Sequence, residues 1–404
     1  MNGAIVIIII CLLLLFAYLF DLSASKTKIP SVILLLILGS IAKFSSVYFK
    51  FETPNFTELL PILGTIGLIL IVLEGSIDLK IDNSKRKLIY KSVIVSIIPM
   101  FALAFILAFA FQYFGHYNFL DSLVNAIPFC IISSAIAIPT VRKFNLLEKE
   151  FIIYESSFSD IIGVLFFNFI TLNEIINWKS IGNFGLQLLL IFVITFIATI
   201  ILSFLLAKIK HHVKFLPIII SVVLIYTISK IFHLPALIFI LLFGLFLGNI
   251  QKIGKFRWIK KFNTEKLEKE VEKFKDIISE FTFLIRALFF ILFGFLIELE
   301  DVLNYNTMLW SLSIVALIFL FRGLQLFLVK LPNRPLIFIA PRGLITILLF
   351  LALEEHQKID LVNNSLIIQV ILLTSSVLMI GNLFIPNKKN ETKETVHDDE
   401  QFNI

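Results

Sequence analysis

SSAIAIPTV, residues 133–141, sets a proline inside a run that otherwise reads as one apolar helix, and FIAPRGLIT, residues 338–346, repeats the device far downstream. A proline in a helix interior removes one hydrogen bond and clashes with the preceding turn. In hydrocarbon the freed carbonyls have no water to turn to, so such a break survives only where protein or a cavity satisfies them. What surrounds the two stretches therefore decides the fold.

The surroundings are membrane. Of 404 residues, 58% are hydrophobic and 16% charged, and the mean hydropathy is +0.97, too apolar for a chain whose surface must meet water. The 44 phenylalanines are spread over the whole length, so no soluble domain is expected within it. The first apolar run, 3–20, lacks a basic n-region and a small-residue cleavage site and reads as the first span, not as a removable signal. Cys11 and Cys130 lie in apolar runs, where they read as small buried hydrophobes and not as a disulfide. The histidines fall at 116, 211, 212, 233, 356 and 397 without a helical i,i+4 pair, so no transition-metal site and no cofactor are expected. The net charge of +6 is explained by where the cations lie and implies no nucleic acid.

A span needs about 20 mostly apolar residues, which cuts the chain into about thirteen segments. These are 3–20, 29–47, 57–78, 88–114, 119–141, 151–173, 182–208, 214–232, 234–250, 278–299, 308–329, 334–354 and 364–385. Loops after odd-numbered segments carry most of the cations, among them Lys80, Lys85, Arg86, Lys87 and Lys91, and later Lys252, Lys255, Arg257, Lys260 and Lys261. The positive-inside rule then puts these loops and the C-terminus in the cytoplasm and the N-terminus outside, for a multi-pass protein of the cell membrane. In the segment 251–277, Leu267, Val271 and Phe274 recur at helical spacing and continue to Ile278. It is expected to lie on the cytoplasmic surface as an amphipathic helix. The polar residues 386–404 are expected to form a disordered cytoplasmic tail.

If 3–173 forms one unit and 214–385 another, with 182–208 as a linker helix, an odd offset of seven spans makes the second run opposite to the first. Transporters built from such inverted repeats place their site where helices break near the midplane. Both proline stretches fall in the fifth member of their unit. The expected fold is thus an all-α polytopic membrane protein with inverted six-helix repeats and two proline-broken helices, carrying Pro139, Pro341 and Gly343, that cross at the midplane.

Few charges lie inside the spans: Glu74, Glu155, Asp160, Arg322 and Arg342, with Asp78 and Arg286 nearer span ends. Each is costly in a bilayer unless paired or wetted. At 1.5 Å per residue, Asp160 and Arg342 both sit about 12–14 Å from the cytoplasmic end of their spans. At about 100° per residue, Asp160 points about 140° away from Glu155, so the two carboxylates cannot serve one purpose. Glu155 suits a structural ion pair with Arg322, whereas Asp160, next to Ser159, suits a cavity beside the broken helices. Glu74 reads equally as a ligand or a cavity wall. GLFLG, residues 244–248, has the small-xxx-small spacing that lets helices approach closely.

These residues resemble the monovalent cation:proton antiporters, a family that includes the sodium/proton exchangers. The similarity runs through IPSVILLLILGS (29–40), GLILIVLEGSIDL (67–79), ESSFSD (155–160), FFILFGFLIEL (289–299) and PRGLITILLFLAL (341–353), of which ESSFSD and PRGLIT are the specific ones. The resemblance implies that Asp160 binds the cation and the proton, that Glu155 and Arg322 form an ion pair, that Arg342 and Gly343 are the family's arginine-glycine step, and that Glu74 matches a ligand found in some members. It also implies a homodimer. Two departures stand out: Ser159 replaces the family's Asn, and Ala135 to Ala137 replace its Thr-Asp-Pro pattern. A single carboxylate is similar to the electroneutral branch.

A carboxylate with two competing partners is enough for exchange. Bound H+ or a bound cation (Na+ first, K+ or Li+ as alternatives) neutralises Asp160, and a bare carboxylate is too costly to cross the dry part of the path. Ser159, Ser133, Ser134, Thr140 and freed carbonyls would be the hard oxygen ligands, by analogy with other hard-cation sites. The rival readings are an inverted-repeat symporter of an organic anion, a polytopic membrane enzyme and a passive channel. The enzyme would want acidic or histidine clusters in its loops, which this chain does not offer.

Overall fold

The computed structural model describes residues 3–27, 29–50, 56, 58–80, 83–141, 144–173, 177–209, 211, 213–253 and 264–383. The tail 386–404 and residues 254–263 of the expected surface helix lie outside them.

Apart from short 3-10 turns, every regular element among the described residues is an α-helix. In chain order these are α1 (Gly3–Thr27), α2 (Ser31–Tyr48), α3 (Leu59–Asp78), α4 (Arg86–Gly115), α5 (Phe119–Cys130), α6 (Ser134–Thr140), α7 (Leu146–Thr171), α8 (Trp178–Lys208) and α9 (Phe215–Ile231). There follow α10 (Leu237–Gly248), α11 (Ile250–Ile253), α12 (Thr264–Leu296), α13 (Leu299–Val302), α14 (Tyr305–Leu328), α15 (Asn333–Leu336), α16 (Leu344–Leu351) and α17 (Asn364–Leu383). Nine helical stretches among the described residues are long and apolar enough to cross a membrane, α5 and α6 counting together as one. The difference from about thirteen has physical causes. The polar run from Glu155 to Asp160 dilutes α7, α9 and α10 are short, and the stretch 334–354 is broken into α15 and α16.

Helix starts follow ordinary capping chemistry. Asn145 accepts from the Glu148 N–H at 2.8 Å to open α7, and Asn177 does the same for Ser180 at α8. Each side chain satisfies one of the donors a helix start leaves over.

The helices pack in two sets. In the first, α12 lies along α2 and α3, α10 packs on α3 and α8, and α1 on α2. In the second, α4 packs on α5 and α7, α6 on α7, and α14 on α17 and α4. Across the boundary α3 meets α6, α7 and α16. The first set is closed by glycines. A Cβ on Gly39 of α2 would lie 2.1 Å from the Ile291 carbonyl oxygen of α12, and one on Gly294 2.3 Å from that of Leu36. Gly248 stands equally close to Ile77 of α3, and Gly244 to Ser76, so the GLFLG spacing serves close packing.

Of the segment expected on the membrane surface, residues 264–277 instead open α12. With 33 residues, this helix is about 50 Å long, beyond the ~30 Å of hydrocarbon. Leu267, Val271, Phe274 and Ile278 are buried within the protein; Phe274 lies on Phe215 of α9, with ring centroids 6.0 Å apart. Flanking charges tie the same turns down, Lys214 pairing with Glu270 and Lys275 with Asp78. The amphipathic stripe marked a covered face, but the cover is protein and not lipid.

Gly39→Ala forces backbone apart between α2 and α12 and should cost about 1–3 kcal/mol, read as a lower unfolding midpoint in detergent. Gly182→Ala, where nothing lies within 4 Å, should leave the midpoint unchanged.

Candidate cation and proton site

Two chain breaks cross at the centre of the second set. The first lies between α5 and α6, at Ile131–Ser133, and the second, around Ala340–Gly343, lies between α15 and α16. Pro341 is inside its break, but Pro139 is not: it sits within α6, after the break, with Pro128 before it inside α5. The expectation that Pro139 marks the interruption is corrected accordingly. What holds the chain open is a set of donors and acceptors from other helices.

In a continuous helix the Ile132 N–H would bond the Pro128 carbonyl and the Ser133 N–H that of Phe129. Here all four groups find other partners. The Ile132 N–H donates to the Ser159 hydroxyl oxygen at 3.0 Å, and the Ser133 N–H donates to the Pro341 carbonyl at 2.9 Å. The Thr346 hydroxyl donates to the Pro128 carbonyl at 3.1 Å, and Arg342 Nε to that of Phe129 at 2.5 Å. Arg342 also reaches the Ala340 carbonyl through Nη1 at 2.8 Å, while its own N–H donates to Thr374 of α17. Gly343 lets the two breaks touch, since a Cβ there would sit 2.7 Å from Ile136 and 2.9 Å from the Ser133 hydroxyl.

The two carboxylates of α7 take opposite roles in this frame. Glu155 is fully buried, and its Oε1 meets Arg322 of α14 and accepts from Gln325 Nε2 at 3.1 Å. Arg322 is anchored further through Nε to the Leu336 carbonyl at 3.0 Å. Asp160, 2% exposed, is met by the hydroxyl and backbone N–H of Ser134 at the start of α6. Its Oδ1 has no hydrogen-bond partner among the described residues, and neither has the buried Ser133 hydroxyl. Among the described residues the boundary of α6 and α7 thus holds oxygen atoms and no cation paired with Asp160, an arrangement open to a proton or a hard cation. A cavity of about 30 Å³, lined in part by Ser96, Ser159, Arg322, Gln325 and Arg342, lies beside it, with room for a water.

The other expected ligands are placed elsewhere. Ser159 spends its oxygen on the Ile132 amide. The Thr140 hydroxyl, at the far end of α6, bonds its own Ile136 carbonyl at 2.7 Å. Glu74, half-buried in α3, accepts from Ser279 of α12 at 2.7 Å. The residues the sequence reading passed over are Gln325, Thr346, Thr374 and Pro128. Only Gln325 left a signal, standing three residues after Arg322 and so on the same helix face.

Glu155→Gln leaves Arg322 buried without its counter-charge, a loss of about 3–5 kcal/mol. Less folded protein and a lower melting midpoint are expected, with cation preference unchanged in whatever folds.

The chain resembles known proteins over nearly its whole length. Residues 11–384 match the family model described as sodium/hydrogen exchanger, transmembrane. No curated protein sequence matches. Among solved structures, the sodium proton antiporter MjNhaP1 from Methanocaldococcus jannaschii at pH 8 aligns with a TM-score of 0.68 at 21% identity, covering 94% of this chain and 100% of that one. An electron-microscopy structure of the same antiporter gives 0.65 at 19% identity, covering 95% of each chain. These likenesses are in fold. Resting on the family model, which spans all but the ends, this chain belongs to the transmembrane sodium/hydrogen exchanger family.

Proposed function

We propose that this cation:proton antiporter carries sodium, with Asp160 as the one carboxylate that a proton and the cation occupy in turn. One contrast carries the reading. Glu155 and Asp160 each keep one oxygen without a hydrogen-bond partner, but Glu155 is paired through its other oxygen with Arg322 and Gln325, whereas the equally buried Asp160 is paired with no cation among the described residues, where two broken helices cross. A buried carboxylate with no cation fixed on it is expensive, and either cargo removes the expense. The loaded carrier then crosses and the bare one does not, which couples the two fluxes. Ser133 and Ser134 are the nearest hydroxyl ligands in this reading, and Glu74 lines the approach from α3. Electroneutral exchange follows, because a single site holds one positive charge in either state.

In the same reading, 3–173 and 214–385 are inverted units joined by 182–208, and the second helix set moves against the first, which serves as a homodimer platform. The Lys-rich ends of α4 and α12 and the C-terminus face the cytoplasm.

Asp160→Asn should fold normally yet fail to dissipate a pH gradient in proteoliposomes when sodium, potassium or lithium is added in turn; normal proton flux from this variant would overturn the assignment. In the wild-type protein, protons compete with the cation. The half-saturating sodium concentration should therefore climb as pH falls, by about tenfold per pH unit at the acid limit, and flatten toward alkaline pH. A pH-independent half-saturation would refute a shared site.

A further inference from the structure

We infer that Arg286 of α12 is a positioning residue for the cation site, holding α6 in place through the carbonyl that Pro139 leaves open. This rests on the reading of Asp160 as the exchanging carboxylate. Within α6 the Ala135 carbonyl would bond the amide of residue 139, but proline has none. Arg286 Nη1 stands 3.4 Å from that carbonyl oxygen instead. Its Nη2 lies 3.6 Å from Asp21 Oδ1 in α1, and the same oxygen accepts from Ser31 at 3.3 Å at the start of α2. The guanidinium is therefore held on one side by the first helix set and touches the second on the other.

The placement matters because α6 is short and sits at the boundary. It has seven residues, starts at Ser134 against Asp160, and packs on α7, while α12 lies along α2 and α3. A helix of two turns has little packing of its own to fix its direction. A charge on the carbonyl next to Ser134 fixes it, and it does so from the opposite set of helices. Loss of that contact lets α6 tilt, so that Ser133 and Ser134 no longer meet Asp160 at ligand distance. Cation affinity then suffers more than turnover. The proline and the arginine form a matched pair, since an amide at 139 would claim the carbonyl in competition with Arg286.

The test uses full-length protein in proteoliposomes, with sodium as the probe and pH-gradient dissipation as the readout. Arg286→Gln should raise the half-saturating sodium concentration about five- to tenfold with maximal rate changed less than about twofold, and Arg286→Lys, which keeps a cation there, should recover most of the loss. Pro139→Ala should raise half-saturation in the same direction, and adding Arg286→Gln to it should add little, because both changes remove one contact. Unchanged half-saturation in Arg286→Gln, equal losses for Gln and Lys, or additive effects with Pro139→Ala would each overturn the inference. If Arg286→Gln does not fold, Pro139→Ala alone decides: wild-type half-saturation refutes it. Asp160→Asn run in parallel separates the two ideas. An active Asp160→Asn sinks the site reading and this inference with it. A dead one beside a wild-type-like Arg286→Gln sinks this inference alone.

Discussion

Backbone amides and carbonyls that leave a helix inside a membrane must be bonded to something, and in this protein that single requirement organises the centre of the molecule. Opening the chain at Ile131–Ser133 frees, among other groups, the amides of Ile132 and Ser133 and the carbonyls of Pro128 and Phe129. Ser159, Pro341, Thr346 and Arg342 take one each. Three of those four partners belong to the second broken segment and the helix that follows it, so neither break is stable without the other. The crossing is a mutual repair, and the acidic site lies beside it because the repair is where polar atoms are already gathered.

The same logic separates the charges. Four ionisable side chains are buried around the crossing, two acidic and two basic, and among the described residues only one of the two carboxylates has a cation beside it. Glu155 and Arg322 hold α7 to α14, with Gln325 and the Leu336 carbonyl filling further valences. Arg342 spends its donors on main-chain carbonyls. Asp160 is met by Ser134. Three of the groups are held by several bonds each, and Asp160 by fewer.

Much of this was legible in the sequence. The membrane character, two interrupted helices and the opposite facing of Glu155 and Asp160 followed from hydropathy, proline and an angle of about 100° per residue. The site of the first interruption was not legible, because proline marks where a helix loses one bond, whereas the opening was set by Thr346 and Arg342 from far along the chain. The apolar stripe of α12 announced a cover without saying what covers it. Ser159 and Thr140 were hydroxyls of suitable chemistry, but Thr140 bonds the main chain of its own helix and Ser159 accepts from the amide that the first break frees. Arg286 read as a charge near a span end, since nothing local tells that its partner is a carbonyl orphaned by Pro139.

The glycine contacts of the first helix set carry a mechanical consequence. Where Gly39 and Gly294 bring α2 and α12 together, main chain rests on main chain with no flexible side chain between to act as a bearing. Such a joint has no slack: sliding one helix along the other drives carbonyl oxygens into solid backbone. The pair travels as one plank, and α10 is nailed to α3 in the same way. Any rearrangement that opens one side of the membrane and shuts the other must be sheared along the α3 boundary, where contacts are made by side chains that can swivel.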